Sequence, residues 1–540
     1  MKSQYLKTGI EGVNGRREFL KLAGYGALGL MAGSYLPMVS PSAYGLNQEA
    51  PLKTAETGFK PDLDLTLVPQ ADEVAMFPGA PTQVWRYSAT VHQGNSNSVV
   101  EIPESYLGPI IKVHQGQKIR IRFKNDIPEK SIIHWHGLHV PAIMDGHPRF
   151  AVAQGQSYLY EFTVTNRAGT YWYHPHPHGR TGPQVYGGLA GLFLVSDEEE
   201  LAAGLPENQY DIPLVIQDRT FDANNQLVYL SRNRMARMTG FLGDRILVNG
   251  KPDFTLPVST TAYRLRLLNG SNSRIYRLAW QDGRPLTIIA TDGGLLEKPV
   301  QRRYAFLAPG ERMELWADFS DSPLGFETEL VSLPFDGGGT GGGRMMGTDA
   351  GLPLGAGFSV FKVKVSREVN RSIELTQNLS EVTPVDLLNT TGLGRPREFY
   401  LTMSHMQWSI NGRTFQMEDV AEDEIVQLGS KEIWEFNNTG GGMMRMMNMP
   451  HPIHLHGKQF RVVGRSGVRH DGYVDEGWKD TVLLMPGESI RILTEFSEYP
   501  GLFLYHCHKI EHDDMGMMRN YFVKKKKNPP TIDSSDNKQL

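Results

Sequence analysis

Pro500-Gly-Leu-Phe-Leu-Tyr-His506-Cys-His508 and Ala168-Gly-Thr-Tyr-Trp-Tyr-His174-Pro-His176 are one pattern written twice in the same chain. In each, a glycine is followed by a run of aromatic and apolar residues and then by His-x-His. A turn residue ahead of such a run reads as a β-strand. Residues two apart in a strand share a face and the residue between them faces the other way. His506 and His508 therefore point together, with Cys507 opposite, and Pro175 holds the position of Cys507 in the earlier copy. A second pair of strings matches in the same way, His134-Trp-His136-Gly137 with His454-Leu-His456-Gly457.

Working outward, weaker repeats occur three times. Lys118-Ile-Arg-Ile-Arg-Phe-Lys-Asn125, Tyr263-Arg-Leu-Arg-Leu-Leu-Asn269 and Glu432-Ile-Trp-Glu-Phe-Asn-Asn438 each carry the period of two expected of a strand with one buried face. Gln154-Gly155 leading to Tyr160-Glu-Phe162, Pro309-Gly310 leading to Ala317-Asp-Phe319, and Pro486-Gly487 leading to Thr494-Glu-Phe496 each read as a turn feeding a strand. Successive copies lie about 145 to 180 residues apart, the length of a β-sandwich. Three all-β sandwich domains are expected, at 46–200, 201–375 and 376–540. The composition agrees: 540 residues are too many for one domain, and 57 Gly and 33 Pro suit turn-rich β structure. A net charge of −4 gives no electrostatic argument for nucleic acid.

The first residues read as a leader. Gly15-Arg-Arg-Glu-Phe-Leu-Lys21 precedes a mildly apolar run, Leu22 to Val39, and small residues follow around Ser40 to Gly45. The run is interrupted by Gly24, Gly26, Gly29, Gly33, Ser34 and Pro37, which makes it a poor membrane span. Residues 1–45 are expected to be a twin-arginine signal peptide, and the mature protein to be periplasmic or otherwise exported. Gly337 to Gly343 reads as a flexible loop, and Lys524 to Lys527 as the start of a polar tail.

The chemistry lies in the histidines and the single cysteine. No histidine falls between His178 and His405, so the first and last modules must meet if their histidines form one site. His134/His136, His174/His176, His454/His456 and His506/His508 supply eight imidazoles, enough for several metal ions. On the opposite face, Cys507 joins His451, His512 and Met517. Two imidazoles, a thiolate and a weak axial thioether are the ligands of a blue-copper electron-transfer centre. Zinc is the rival metal for histidine and cysteine. It has no redox chemistry, and it does not explain a thiolate between two cluster histidines.

The strings His134-Trp-His-Gly, His174-Pro-His-Pro-His-Gly, His451-Pro-Ile-His-Leu-His-Gly and His506-Cys-His-Lys-Ile-Glu-His-Asp-Asp-Met-Gly-Met517 resemble the four copper motifs of the multicopper oxidases. Bacterial laccase-like enzymes and the periplasmic cuprous oxidase are similar. The resemblance implies three cupredoxin-like Greek-key β-sandwich domains and four copper ions. Type 1 copper would take His451, Cys507, His512 and Met517. Type 2 would take His134 and His454. The type 3 pair would take His136, His174, His176, His456, His506 and His508. It also implies one-electron oxidation of a small reducing substrate at type 1, with dioxygen reduced to water at the other three. Asp145, eleven residues after His134, and Asp513, beside His512, match the family's proton-relay carboxylates. His139 and His178 fall outside the ligand pattern and read as ordinary histidines.

The reducing substrate is less determined. Met443-Met-Arg-Met-Met-Asn-Met449 runs toward His451, and Met345-Met346 follows the glycine loop. Thioethers suit Cu(I) and also pack well in apolar cores. The cuprous oxidase's methionine-rich insert is absent here, since Leu401-Thr-Met-Ser-His-Met406 passes almost directly into Trp408-Ser-Ile-Asn-Gly412, and its acidic substrate residue is matched by Met447. These departures imply a type 1 site more open to bulky phenols or amines, and an oxidase of laccase type with broad donors including Cu(I). A dedicated cuprous oxidase in copper tolerance is the alternative. A non-catalytic cupredoxin scaffold fits poorly with twelve retained ligands, as does a copper nitrite reductase with a full His-Cys-His bridge.

Overall fold

The two repeated elements of each module become neighbouring strands. Lys118–Lys124 pairs antiparallel with Ser157–Thr163, Ala262–Asn269 with Arg312–Asp318, and Lys431–Asn437 with Ser489–Glu495. In each, a glycine ahead of the second strand takes a positive φ, +81° at Gly155, +85° at Gly310 and +88° at Gly487. That left-handed conformation is cheap only for glycine, which is why the turn repeats in sequence. Each first strand also has a parallel neighbour: Leu63–Val74, Asp211–Arg219 and Arg397–Ser404. The same strand order thus appears three times.

This computed structural model describes residues 58–230, 234–337, 352–382, 384–438, 449–468 and 470–525, all within one compact unit, Leu52–Leu540. The leader at 1–45, the glycine run beyond Gly337, Met345-Met346, Met443 to Asn448, and Lys526-Lys527 lie outside the described residues. The fold is all-β, built as cupredoxin-like sandwiches. Among the described residues there are six sheets, which pack in pairs around three cores. Ile121, Phe123, Trp135, Tyr160 and Phe193 anchor the first core, Leu265, Leu278, Leu315 and Val363 the second, and Trp434, Phe436, Ile492 and Phe503 the third. No helix among them is long and apolar enough to cross a membrane.

One strand departs from its sequence pattern. Ala262–Asn269 is buried along its whole length instead of on alternate residues. Arg264 and Arg266 are only 2% and 4% exposed. Arg266 pairs with Asp211 and Glu314, Arg264 pairs with Glu200 and Glu314, and Thr170 of the first module donates to Glu314 at 2.7 Å. The second face of this strand is an inter-module contact. Alternation distinguishes apolar from polar faces, and this polar face is covered by paired charge.

Candidate metal centre

Two hairpins carry the histidine pairs, in equivalent registers. In the first module His134 lies across from His174; in the third His454 lies across from His506 and Ile453 from Cys507. The matched strings of the sequence are thus matched in space, and the two modules turn their histidines toward each other. His134 Nε2 lies 3.2 Å from His454 Nε2, His176 Nε2 lies 3.4 Å from His506 Nε2, and His456 Nε2 lies 3.0 Å from His506 Nε2. The rings of His134 and His456 stack at 3.6 Å, and those of His136 and His454 at 3.7 Å.

Hydrogen bonds on the far side of these rings fix their tautomers. His134 Nδ1 donates to the Asp145 carbonyl at 2.7 Å, His454 Nδ1 to the Asp480 carbonyl at 2.8 Å, and His506 Nδ1 to the Cys507 carbonyl at 3.1 Å. His456 Nδ1 donates to Asp145 Oδ2 at 2.8 Å. A neutral imidazole has one N–H, so in all four rings Nε2 carries a lone pair. His134 and His454, and His456 and His506, therefore face each other lone pair to lone pair at hydrogen-bond distance with no proton between them. A cation resolves that repulsion. Protonation is opposed by burial, which holds His134, His456 and His506 well below the ordinary histidine range.

His136, His174 and His508 form the remaining group. His136 Nε2 faces Asp480 Oδ1 at 3.0 Å and Thr481 Oγ1 at 3.1 Å, so this ring offers Nδ1. His174 donates from Nδ1 to the Pro175 carbonyl at 3.0 Å and offers Nε2. His136 Nδ1, His174 Nε2 and both nitrogens of His508 are buried without a hydrogen-bond partner. Their ring centroids lie 4.9 to 5.7 Å apart. Unpaired buried polar atoms are costly, and ligand atoms of His134, His136 and His174 lie within 4.8 Å of one another, a spacing that fits a metal ion.

Cys507 belongs to a second site on the other face of its strand. His451 Nδ1 is 3.4 Å and His512 Nδ1 is 3.6 Å from Cys507 Sγ, and the two nitrogens are 3.3 Å apart. A triangle with these edges has a centre about 2.0 Å from each corner, a first-row metal–nitrogen bond length. His512 Nε2 donates to the Met238 carbonyl at 3.0 Å, which leaves Nδ1 as the free lone pair. Burial pushes the Cys507 thiol up to about 12, so a thiolate here requires a bound cation. Met517 is fully buried in the same cluster, and its carbonyl accepts from the Cys507 amide at 3.1 Å.

The two expected carboxylates border the histidine cluster. Asp145 is fully buried, with Oδ2 on His456 and Oδ1 unpartnered. Asp513 is 2% exposed, with oxygens 3.8 Å from His506 Nδ1 and 4.0 Å from His176 Nε2. Burial raises both carboxyls well above the usual carboxylate range. His139 and His178 stay outside: His139 lies 3.7 Å from Glu498, and His178 packs 4.9 Å from the Phe415 ring.

Asp480 was not among the residues the sequence singled out. Its carboxylate contacts His136 and is held by Arg312 through Nη1 at 2.7 Å and Nη2 at 2.5 Å. Burial alone would raise this carboxyl, but Arg312 overrides it and holds Asp480 well below the usual range. The available signal was Lys479-Asp480 running straight into the apolar strand Thr481–Leu484. Asp480→Ala leaves the buried Arg312 with only the more distant Asp292 carboxylate, 3.6 Å away, and is expected to cost about 3 kcal/mol in denaturant unfolding of the protein. A loss under about 1 kcal/mol would mean that the pair is not carrying this role.

The ligands of the Cys507 site are covered: His512 and His451 are 0% and 1% exposed. Trp408 stacks on His512 at 4.8 Å and lies edge-on to His451 at 4.7 Å. The short helix Arg234–Thr239 sets the Met238 carbonyl over His512. The cover is shared: Trp408 belongs to the third module and the Met238 carbonyl to the middle one.

Family models described as "Multicopper oxidase" match residues 83–200 and 390–527. The chain is 31% identical to "Multicopper oxidase mco" of Staphylococcus aureus, over 80% of this chain and 86% of that protein. It is 30% identical to "Laccase" of Bacillus stratosphericus, over 81% of this chain and 90% of that protein. Among solved structures, the McoA multicopper oxidase from the hyperthermophile Aquifex aeolicus superposes with a TM-score of 0.72 at 36% identity, covering 86% of this chain and 97% of that one.

Proposed function

The chain belongs to the multicopper oxidase family, and from that premise we propose how its residues divide the work. It is a copper-dependent oxidoreductase with dioxygen as acceptor. In our reading four copper ions are held, one by His451, Cys507, His512 and Met517, one by His134 and His454, and two by His136, His174 and His508 and by His176, His456 and His506. Bound copper supplies one-electron redox chemistry at the first set and dioxygen reduction to water at the other three. The observation that carries this assignment is the two pairs of opposed Nε2 lone pairs, His134 with His454 at 3.2 Å and His456 with His506 at 3.0 Å, fixed by their outer hydrogen bonds.

The chain's own part follows from placement. Both sites are buried, and electron entry is assigned to the Cys507 site on its ligand set of two imidazoles, a thiolate and a thioether. Cys507 is covalently continuous with His506 and His508, which gives the shortest bonded route between the two sites. Asp145 borders the cluster at His134 and His456 and Asp513 at His176 and His506, each with an Oδ1 that makes no hydrogen bond, and both are assigned to hold and pass protons. Domains at 46–200, 201–375 and 376–540 and export by residues 1–45 complete this reading. Replacing Arg16 and Arg17 together by lysine is expected to leave the precursor in the cytoplasm; periplasmic protein from that variant would remove the twin-arginine assignment.

The donors assigned are phenols, aromatic amines and cuprous ion. A dedicated cuprous oxidase is the second reading, and one observation favours it: Met449, Met403 and Met515 belong to or pack against the core that holds Cys507 and Met517, the Met238 carbonyl lies on His512, and Met406 is exposed two residues before Trp408. Soft thioethers suit Cu(I). Oxygen uptake with cuprous ion, hydroquinone and an aromatic diamine, under matched conditions, decides between them. Turnover of all three is expected, and activity confined to cuprous ion would replace the broad reading with the narrow one.

A further inference from the structure

Glu511 is 1% exposed and lies one residue before His512, in the helix Ile510–Asp514. It accepts four hydrogen bonds, a complete set for a carboxylate. Tyr229 Oη donates at 2.8 Å and Asn272 Nδ2 at 3.0 Å to Oε1, and Ser273 Oγ at 2.5 Å and the Phe241 amide at 3.1 Å to Oε2. Two of these donors, Tyr229 and Phe241, bracket the helix Arg234–Thr239. That helix forms part of the cover of the Cys507 site, together with Trp408: the Met238 carbonyl accepts from His512 Nε2 at 3.0 Å and from Trp408 Nε1 at 2.8 Å. Lys509 Nζ adds a bond to the Thr239 carbonyl at 3.3 Å. A six-residue helix is too short to hold itself in water, so its position depends on these outside contacts.

We propose that Glu511 is a positioning residue that, through Tyr229 and Phe241 on either side of the helix Arg234–Thr239, holds the Met238 carbonyl on His512 and thereby restricts which donors reach the electron-entry site. The inference rests on the assignment of His512 to that site. The carboxylate touches neither donor nor cluster. It acts through the cover, which excludes bulky two-ring donors and admits small ones. An imidazole N–H bonded to a carbonyl is more electron-rich and favours the oxidised metal, so loosening the cover also raises the reduction potential.

The test compares copper-loaded wild type with Glu511→Gln and Tyr229→Phe, the second removing one donor while keeping the buried carboxylate and the ring stack on Tyr186. Three quantities are read: backbone amide exchange across Met235–Phe241, the potential of the blue centre, and kcat/KM for syringaldazine against hydroquinone. In Glu511→Gln, exchange in that segment is expected to quicken by about tenfold while the blue band persists. The potential is expected to rise, and the syringaldazine-to-hydroquinone ratio to rise by about fivefold through KM. Tyr229→Phe is expected to move all three in the same direction by less. Unchanged exchange in Met235–Phe241, or an unchanged donor ratio with faster exchange, overturns the proposal. If Glu511→Gln does not fold, Tyr229→Phe alone decides by the same criteria. Amide exchange is read whether or not the protein is blue, so failure of the copper assignment, seen as a colourless loaded wild type, is distinguishable from failure of the positioning role.

Discussion

Cys507→Ser is expected to abolish the blue absorption and to lower oxygen uptake with every donor by about a thousandfold or more, while the histidine cluster still binds copper. The reason is placement as much as ligand chemistry. Cys507 Sγ is the one sulfur among three donors spaced 3.3 to 3.6 Å apart, and its backbone carries the neighbouring histidines into the cluster. A serine hydroxyl is a poor ligand for the soft metal and does not supply the covalent thiolate route. The check is copper content, visible spectrum and oxygen uptake on the same preparation. Retained activity in a colourless protein would place electron entry elsewhere.

Asp145→Asn is expected to slow steady-state oxygen reduction by about a hundredfold and to leave anaerobic bleaching of the blue band by donor unchanged. Asparagine can still accept from His456 Nδ1, where Asp145 Oδ2 sits at 2.8 Å, so ring orientation survives. What it lacks is an exchangeable carboxyl proton beside the cluster. Asp145→Ala removes the outer hydrogen bond as well, and copper content is then expected to fall, since such partners are worth about tenfold to a hundredfold in metal affinity. Stopped-flow reduction without oxygen, followed by reoxidation with it, separates the two steps. Slowed anaerobic reduction in Asp145→Asn would show that the carboxyl serves electron entry instead.

Much of this molecule was legible in its sequence, for identifiable reasons. The period of two, with a positive-φ glycine ahead of each second strand, gave the triplicated strand pair. His-x-His on a strand gave paired imidazoles on one face, with Cys507 turned to the other. Elements read from one segment at a time fared well. What escaped depends on contacts between segments distant in the chain. The doubly buried strand Ala262–Asn269 is polar on its second face, and only the pairing of Arg264 and Arg266 with carboxylates makes that face an interior. Asp480 is one acid among many until Arg312, from the middle module, lies against it. Part of the cover over His512, the Met238 carbonyl, also comes from the middle module, which has no histidine to draw attention to it.

The account's central claim is that one chain couples single-electron oxidation at the Cys507 site to four-electron reduction of dioxygen at the histidine cluster. The most direct measurement is the stoichiometry of the copper-loaded protein: donor oxidised, dioxygen consumed and peroxide formed, recorded together during turnover with hydroquinone and with cuprous ion. The account predicts four electrons taken per dioxygen consumed, no released peroxide, and a blue band that bleaches without oxygen and returns with it. A fully loaded, blue protein that consumes no oxygen with any donor would contradict it.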